Sequence, residues 1–308
     1  MKKLNTLLTA AALALAATLP VHAQVKIGVI ASSTGAIPFV GIPQKNAVAL
    51  LPKKIGGFDV EYLVFDDASD PTQSVTLTKK LLGESKIDAL IGPSGSGNAM
   101  GVLAFMAESQ TPMLAPVGTS AVVLPMDDKK RWVFKTHPND DVISEGLVAA
   151  MTHSQIIDSG FKGPIFQTHG ASSGSFLQIG GKKVEGALIM GPLVVVPDEI
   201  PDTAPSKAVT LDLIKGYEKA FGTKPPIFAA GTYDAGLLLS NAIPIAAKKA
   251  KPGTQEFRSA LRDALEGTKE LKASQGPINM SAADHSGYDL RGQVMITVKD
   301  GKFTRVKD

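Results

Sequence analysis

The chain has 308 residues, 44% of them hydrophobic, a formal charge of +3, no cysteine and only 6% aromatic residues. Near-neutral charge of mixed sign excludes nucleic acid as a partner, and the absence of cysteine excludes a disulfide framework. Sparse aromatics exclude a sugar site built on stacked rings, and the length suggests two domains or one large one.

Residues 1–23 carry Lys2 and Lys3, an apolar core from Leu7 to Leu19, and Val21-His22-Ala23. A charged start, a short apolar core and small residues before a cut predict a signal peptide cleaved after Ala23, hence a periplasmic protein. The core is shorter than the ~20 apolar residues of a spanning helix. The mature chain then has 285 residues and a charge of +1.

From Val25 onward the pattern alternates. VKIGVIA (25–31) reads as a strand, and GIPQKNAVALLPKKIGG (41–57) reads as a helix with a Gly-Gly stop. DVEYLVFDD (59–67) is a strand, and DPTQSVTLTKKLLGES (70–85) is a helix with Asp70 as N-cap and Pro71 in its first turn. KIDALIGP (86–93), TPMLAPVG (111–118) and RWVFKTHP (131–138) are further strands, with a Gly-rich loop and a helix after the first of them. Near-continuously apolar strands alternating with helices predict a doubly wound parallel sheet over residues 25 to about 138. Further on, helices are expected at 140–151, 154–161, 205–221, 233–250 and 254–268, and strands at 163–170 and 186–197. The chain ends in a hairpin at 292–306 turning at Asp300-Gly301.

The loop GPSGSGNAMG (92–101) departs from a dinucleotide fingerprint in spacing, in following the third strand, and in lacking the later acidic residue. It also lacks the Lys-Ser/Thr of a P-loop. It does place backbone N–H groups and the side chains of Ser94, Ser96 and Asn98 at a helix start, as a small carboxylate or phosphate requires. The bland alternative is a tight turn of small residues. HGASSG (169–174) has the Gly170-x-Ser172-x-Gly174 spacing of a nucleophile elbow, with His285 downstream, so a secreted serine hydrolase is the alternative function. A plain helix N-cap explains the same serines. DHSGYD (284–289) lacks the ligand ladder of a calcium loop, and His137, His153, His169 and His285 lack metal-ligand spacing, so no metal or cofactor is expected.

VKIGVIASSTGAIPFVGIPQKNAVALL, VFDDASDPTQSVTLTKKLL, IGPSGSGNAMG, TPMLAPVGTSAVV, FKGPIFQTHG and TYDAGLLLSNAI together resemble the periplasmic leucine/isoleucine/valine-type binding proteins. These are the solute receptors of branched-chain amino-acid ABC transporters. The similarity runs over nearly all of the mature chain. It implies the type I periplasmic binding fold, two doubly wound Rossmann-like α/β lobes joined by three crossing strands and closing on a ligand between them. The lobes would be 24–138 and 139–308. The resemblance implies a monomeric receptor, not an enzyme, that delivers a small carboxylate to a membrane permease.

The resemblance also places the carboxylate at Ser96 and its neighbouring N–H groups and at Val117 and Thr119. His169 stands where amino-acid-binding members have a carboxylate facing the ligand ammonium, so an aromatic or aliphatic acid without an α-amino group stands beside a branched-chain amino acid as the expected ligand. Between RWVFKTHP and SQIIDSGFKG the family has further βα units. Roughly 60–80 residues, about two such units, are missing around 151–155, so the second lobe is expected to be truncated, and a non-functional remnant of a receptor is a further alternative.

Overall fold

The computed structural model describes residues 24–139, 163, 165–167 and 171–306. Its first sheet has six strands in the order β2-β3-β1-β4-β5-β6. These are β1 (Val25–Ile30), β2 (Lys54–Ile55), β3 (Phe58–Phe65), β4 (Ala89–Ile91), β5 (Met113–Ala115) and β6 (Val133–Lys135). All neighbours pair in parallel except β2, which forms an antiparallel hairpin with β3.

The helix expected at 41–57 is shorter and starts earlier. Helix α1 spans Pro38–Val48 with proline in its first turn. Pro52 disfavours helix for the residue before it, and Gly56 and Gly57 have φ of +58° and +90°. The glycine pair is therefore the β2–β3 hairpin turn rather than a helix stop. Helix α2 (Pro71–Lys80) begins as expected, with the Asp70 carboxylate accepting from Thr72 N at 2.7 Å. Helix α3 spans Ser96–Glu108.

Period-two alternation along β1 sorts the core. Ile30 faces Leu90, Val102, Met106 and Met113, the side covered by α2 and α3. Val25, Ile27 and Val29 face the other way. That second face is covered by α1 and by two helices from far along the chain, α6 (Ile227–Ala246) and α7 (Gln255–Glu266), through Leu238, Leu239, Ile243, Phe257 and Leu261. These were expected to cover the second unit. Amphipathic spacing shows that a helix face is buried, but not against which sheet.

The second sheet, among the described residues, runs β12-β11-β8-β7. Strands β7 (Phe166–Gln167) and β8 (Leu188–Pro192) are parallel, and the terminal hairpin β11 (Gln293–Lys299) and β12 (Lys302–Arg305) is antiparallel. Short helix α4 (Gly174–Gly180) packs beside it, and α5 (Lys207–Phe221) lies against α6 and touches α1 through Asn46 Nδ2 to Tyr217 Oη at 3.1 Å. Strands β9 (Leu271–Ala273) and β10 (Gly276–Ile278) form a separate two-stranded ribbon. The helices expected at 140–151 and 154–161, and the junction at 151–155, lie outside the described residues.

Candidate binding cleft

The loops that leave the C-terminal ends of β1, β3, β4 and β5 lie side by side, because those strands are hydrogen-bonded neighbours. Gly92 is forced by geometry: its φ is +105°, and a Cβ there would lie 2.1 Å from Ile30 O. Ser94, expected among the ligand donors, is buried instead. Its Oγ accepts from Ser32 N at 3.0 Å and donates to Gln44 Oε1 at 2.5 Å, and Gln44 Nε2 donates to Pro116 O at 2.9 Å. Gln44 on α1 thus ties the loop after β4 to the loop after β5. Asn98 is buried too, donating to Asp67 Oδ2 at 2.8 Å. Asp67 also accepts from Ser32 Oγ and Ser74 Oγ, each at 2.6 Å. Both expected donors are committed to the scaffold, Ser94 to Gln44 and Asn98 to Asp67, because a buried polar group must find a partner.

Ser96 remains exposed at the first position of α3. Its N-cap is Gly95, which brings no capping side chain, and the first bond of the helix is Ala99 N to Gly95 O. Such a start leaves first-turn amides free for an anion. Val117 has its side chain in the core, only 2% exposed, so its backbone alone is available. Thr119 is half-buried, and its Oγ1 accepts from Ala121 N at 3.2 Å, leaving its hydroxyl proton to donate outward. Buried Lys135 fixes the same loop by donating to Gly118 O. His169 lies outside the described residues.

Next to α3, with Ile37 within 3.5 Å of a Cβ built on Gly95, α1 begins an apolar groove of about 620 Å³. One wall is Phe39 and Ile42; the other is Leu177, Val194, Val195 and Phe228. Phe39 is 58% exposed and meets Phe228 edge-on, with ring centroids 6.1 Å apart. These rings escaped the sequence reading, although PFVGI, a proline-started helix with an apolar residue in its first turn, carried the signal. Asp66 holds the adjoining turn: partial desolvation raises its carboxyl, but hydrogen bonds from Ala68 N, Thr34 and Ser33 N outweigh it and keep the group below its ordinary value.

The hydrolase pair is not assembled. Ser173 caps α4, accepting from Phe176 N at 3.3 Å, and Ser172 is buried. His285 is stacked on Phe134 at 4.2 Å; its Nδ1 faces Val133 O at 2.8 Å and its Nε2 faces Glu266 at 3.4 Å. Those partners belong to β6 and α7. Among the described residues no group of side chains could hold a metal ion, and no helix is long and apolar enough to cross a membrane.

A periplasmic binding protein family model matches residues 24–161. An extracellular ligand-binding receptor from Rhodopseudomonas palustris HaA2 superposes with a TM-score of 0.82 at 32% identity, over 92% of this chain and all of that one. The chain belongs to the periplasmic binding protein family. A Leu/Ile/Val-binding protein, BraC3, from Rhizobium johnstonii is 37% identical over 105 residues, a match spanning 32% of this chain and 28% of that protein. The branched-chain amino acid substrate-binding protein LivJ of Streptococcus pneumoniae, solved with isoleucine, shares the fold with a TM-score of 0.69 at 17% identity. The fold is therefore the type I periplasmic binding fold, and a solute receptor of periplasmic or extracellular location follows from membership. In this binding protein, the Gly loop and the groove lie where a doubly wound sheet exposes the carboxyl ends of its strands.

Proposed function

We propose that the protein is a non-catalytic periplasmic receptor for a small carboxylate with an apolar body, delivered to an ABC permease after export and cleavage behind Ala23. The observation that carries this reading is the uncapped start of α3 beside the Phe39–Phe228 groove. The exposed Ser96 hydroxyl with the first-turn amides of α3, and the Thr119 hydroxyl, neutralise the carboxylate without a cation, and the groove takes the hydrocarbon. In this reading residues 24–138 form the first lobe together with α6 and α7, which return to cover its sheet, the rest of 139–308 belongs to the second, and the receptor acts as a monomer. In sequence His169 stands where amino-acid-binding members carry a carboxylate, and an imidazole supplies no anionic countercharge to an ammonium. Branched-chain acids lacking the amino group, or aromatic acids, then bind more tightly than leucine.

Thermal unfolding with leucine, 4-methylpentanoate and benzoate tests this. A true ligand at a hundredfold excess over Kd adds ~2.7 kcal/mol to stability. Ser96→Ala and Thr119→Ala are expected to weaken its binding by ~1.5–3 kcal/mol each, the range for hydrogen bonds to a charged group. Unchanged calorimetric affinity in both variants would place the site elsewhere.

A further inference from the structure

A second, smaller cavity of about 200 Å³ opens at the N-terminal ends of the parallel strands, across the sheet from the Gly loop. Lys86 precedes β4, Ser109 and Thr111 stand between α3 and β5, and Gln255 and Arg258 come from the first turn of α7. Two cations thus line one small polar hollow. The side chains of Lys86 and Arg258 form no hydrogen bond or ion pair with a described residue, and Arg258 Nε is buried with no acceptor among them. The neighbouring carboxylate does not take that role: Asp88 accepts from Lys26 N at 3.0 Å and from Gly253 N at 2.7 Å. Burial pushes its carboxyl up, and the hydrogen bonds from Lys26 N and Gly253 N, followed by the charges on Arg258 and Lys26, pull back only in part.

The negative end of α3 points toward this cavity but is closed off. Phe105 O, Met106 O and Ala107 O accept from Ser109, Thr111 and Gln110 amides. The Ser109 and Thr111 hydroxyls stand 3.1 Å apart on the wall. A guanidinium presents paired donors that match the oxygens of a tetrahedral anion, and an ammonium adds a point charge. Apolar lining is confined to Leu82 and Ile87, which leaves little to hold a hydrocarbon body.

We propose that this cavity binds a small inorganic oxyanion, phosphate or sulfate, between Lys86 and Arg258, with Ser109 and Thr111 on its wall. The anion clamps the entry of β4, the turn before β5 and the start of α7, where Asp88 already accepts from Gly253 N and Gln255 donates to Gln110. Its site is separate from the carboxylate cleft, so both can be filled at once.

The test uses the full mature chain, with ionic strength fixed by sodium chloride. Rising phosphate or sulfate should raise the melting temperature saturably, and phosphorus NMR should show phosphate broadened by the protein. Arg258→Gln and Lys86→Gln should each weaken binding by about tenfold or more, since each removes a charge-assisted contact. Lys302→Gln, on β12, should leave it unchanged. Should Arg258→Gln not fold, Lys86→Gln, an exposed side chain, gives the same reading. A response to one anion only names the occupant. No saturable response to either, or a full response in Lys86→Gln, overturns the proposal, and leaves the carboxylate reading of the cleft untouched.

Discussion

Asp234 on α6 is fully buried, and four donors converge on it: Ser274 N at 2.7 Å, Gln275 N at 3.2 Å, Gln275 Nε2 at 3.1 Å and Tyr288 Oη at 3.1 Å. Gln275 Nε2 also donates to Thr136 O at 2.9 Å, so its Oε1 faces His137 Nδ1 at 2.6 Å, and that ring nitrogen must carry the proton. Burial pushes the Asp234 carboxyl from 3.8 up to about 6, against the pull of its hydrogen bonds. Between about pH 4 and 6 the unfolded chain has lost this proton while the folded one keeps it. The stability owed to Asp234 therefore falls as pH rises through that window, by up to ~3 kcal/mol, and stays low above it. Urea unfolding across pH 4 to 7 should show Asp234→Asn lacking this component of the slope; parallel profiles for the two proteins would remove the role. The same scale shows what side-chain identity could tell about the cleft. The loop's hydroxyls and amide are plain in GPSGSGN, yet only the fold decides that Ser94 and Asn98 turn inward to Gln44 and Asp67 while Ser96 stays outside.

Among the elements, the β1–β4 contact sets the tolerance of the Gly loop. Alanine at Gly92 would combine an unfavourable φ with a Cβ 2.1 Å from Ile30 O, backbone that cannot swing aside. We expect Gly92→Ala to cost at least ~2 kcal/mol by chemical denaturation, from strain and overpacking together. Gly83→Ala, with nothing within 4 Å, should be neutral or slightly stabilising; equal effects would mean that the loop relaxes freely. Strand positions were readable because β-branched runs such as VKIGVI fit a sheet buried on both faces. The π-turn at Leu81–Ser85 was hidden, being a change in hydrogen-bond register rather than in composition. Helix α7 shows the limit most clearly. Phe257, Ala260, Leu261, Ala264 and Leu265 follow i, i+3, i+4 spacing and are buried, but their partners Val25 and Ile27 are more than two hundred residues earlier.

At the scale of the molecule, that distant packing alters which parts should fold together. Residues 24–138 alone would leave Val25, Ile27, Val29, Ile91, Leu114 and Phe134 without the α6 and α7 side chains that cover them. The apolar face would be open to water, and such a patch promotes association. The first lobe is thus completed by the chain's return after residue 226, and the Asp234 network pins that return to the segments at 136–137 and 274–275. Among the described residues the cluster around the second sheet is smaller, built on Ala171, Val184, Ala187, Ile189, Val196, Ile296 and Val298. Fewer buried side chains imply a lower opening free energy there. We therefore expect hydrogen exchange to group the amides of Leu238–Ile243 with those of β1, at the highest protection, and to release β11 and β12 first. Leu238→Ala should lower stability by ~2–5 kcal/mol, as for a fully buried leucine. Because one core holds both elements, protection of Val25–Val29 should fall with that of α6. Exchange in which α6 follows β11 instead, with β1 indifferent to Leu238→Ala, would break the first lobe as drawn here and return these helices to the second.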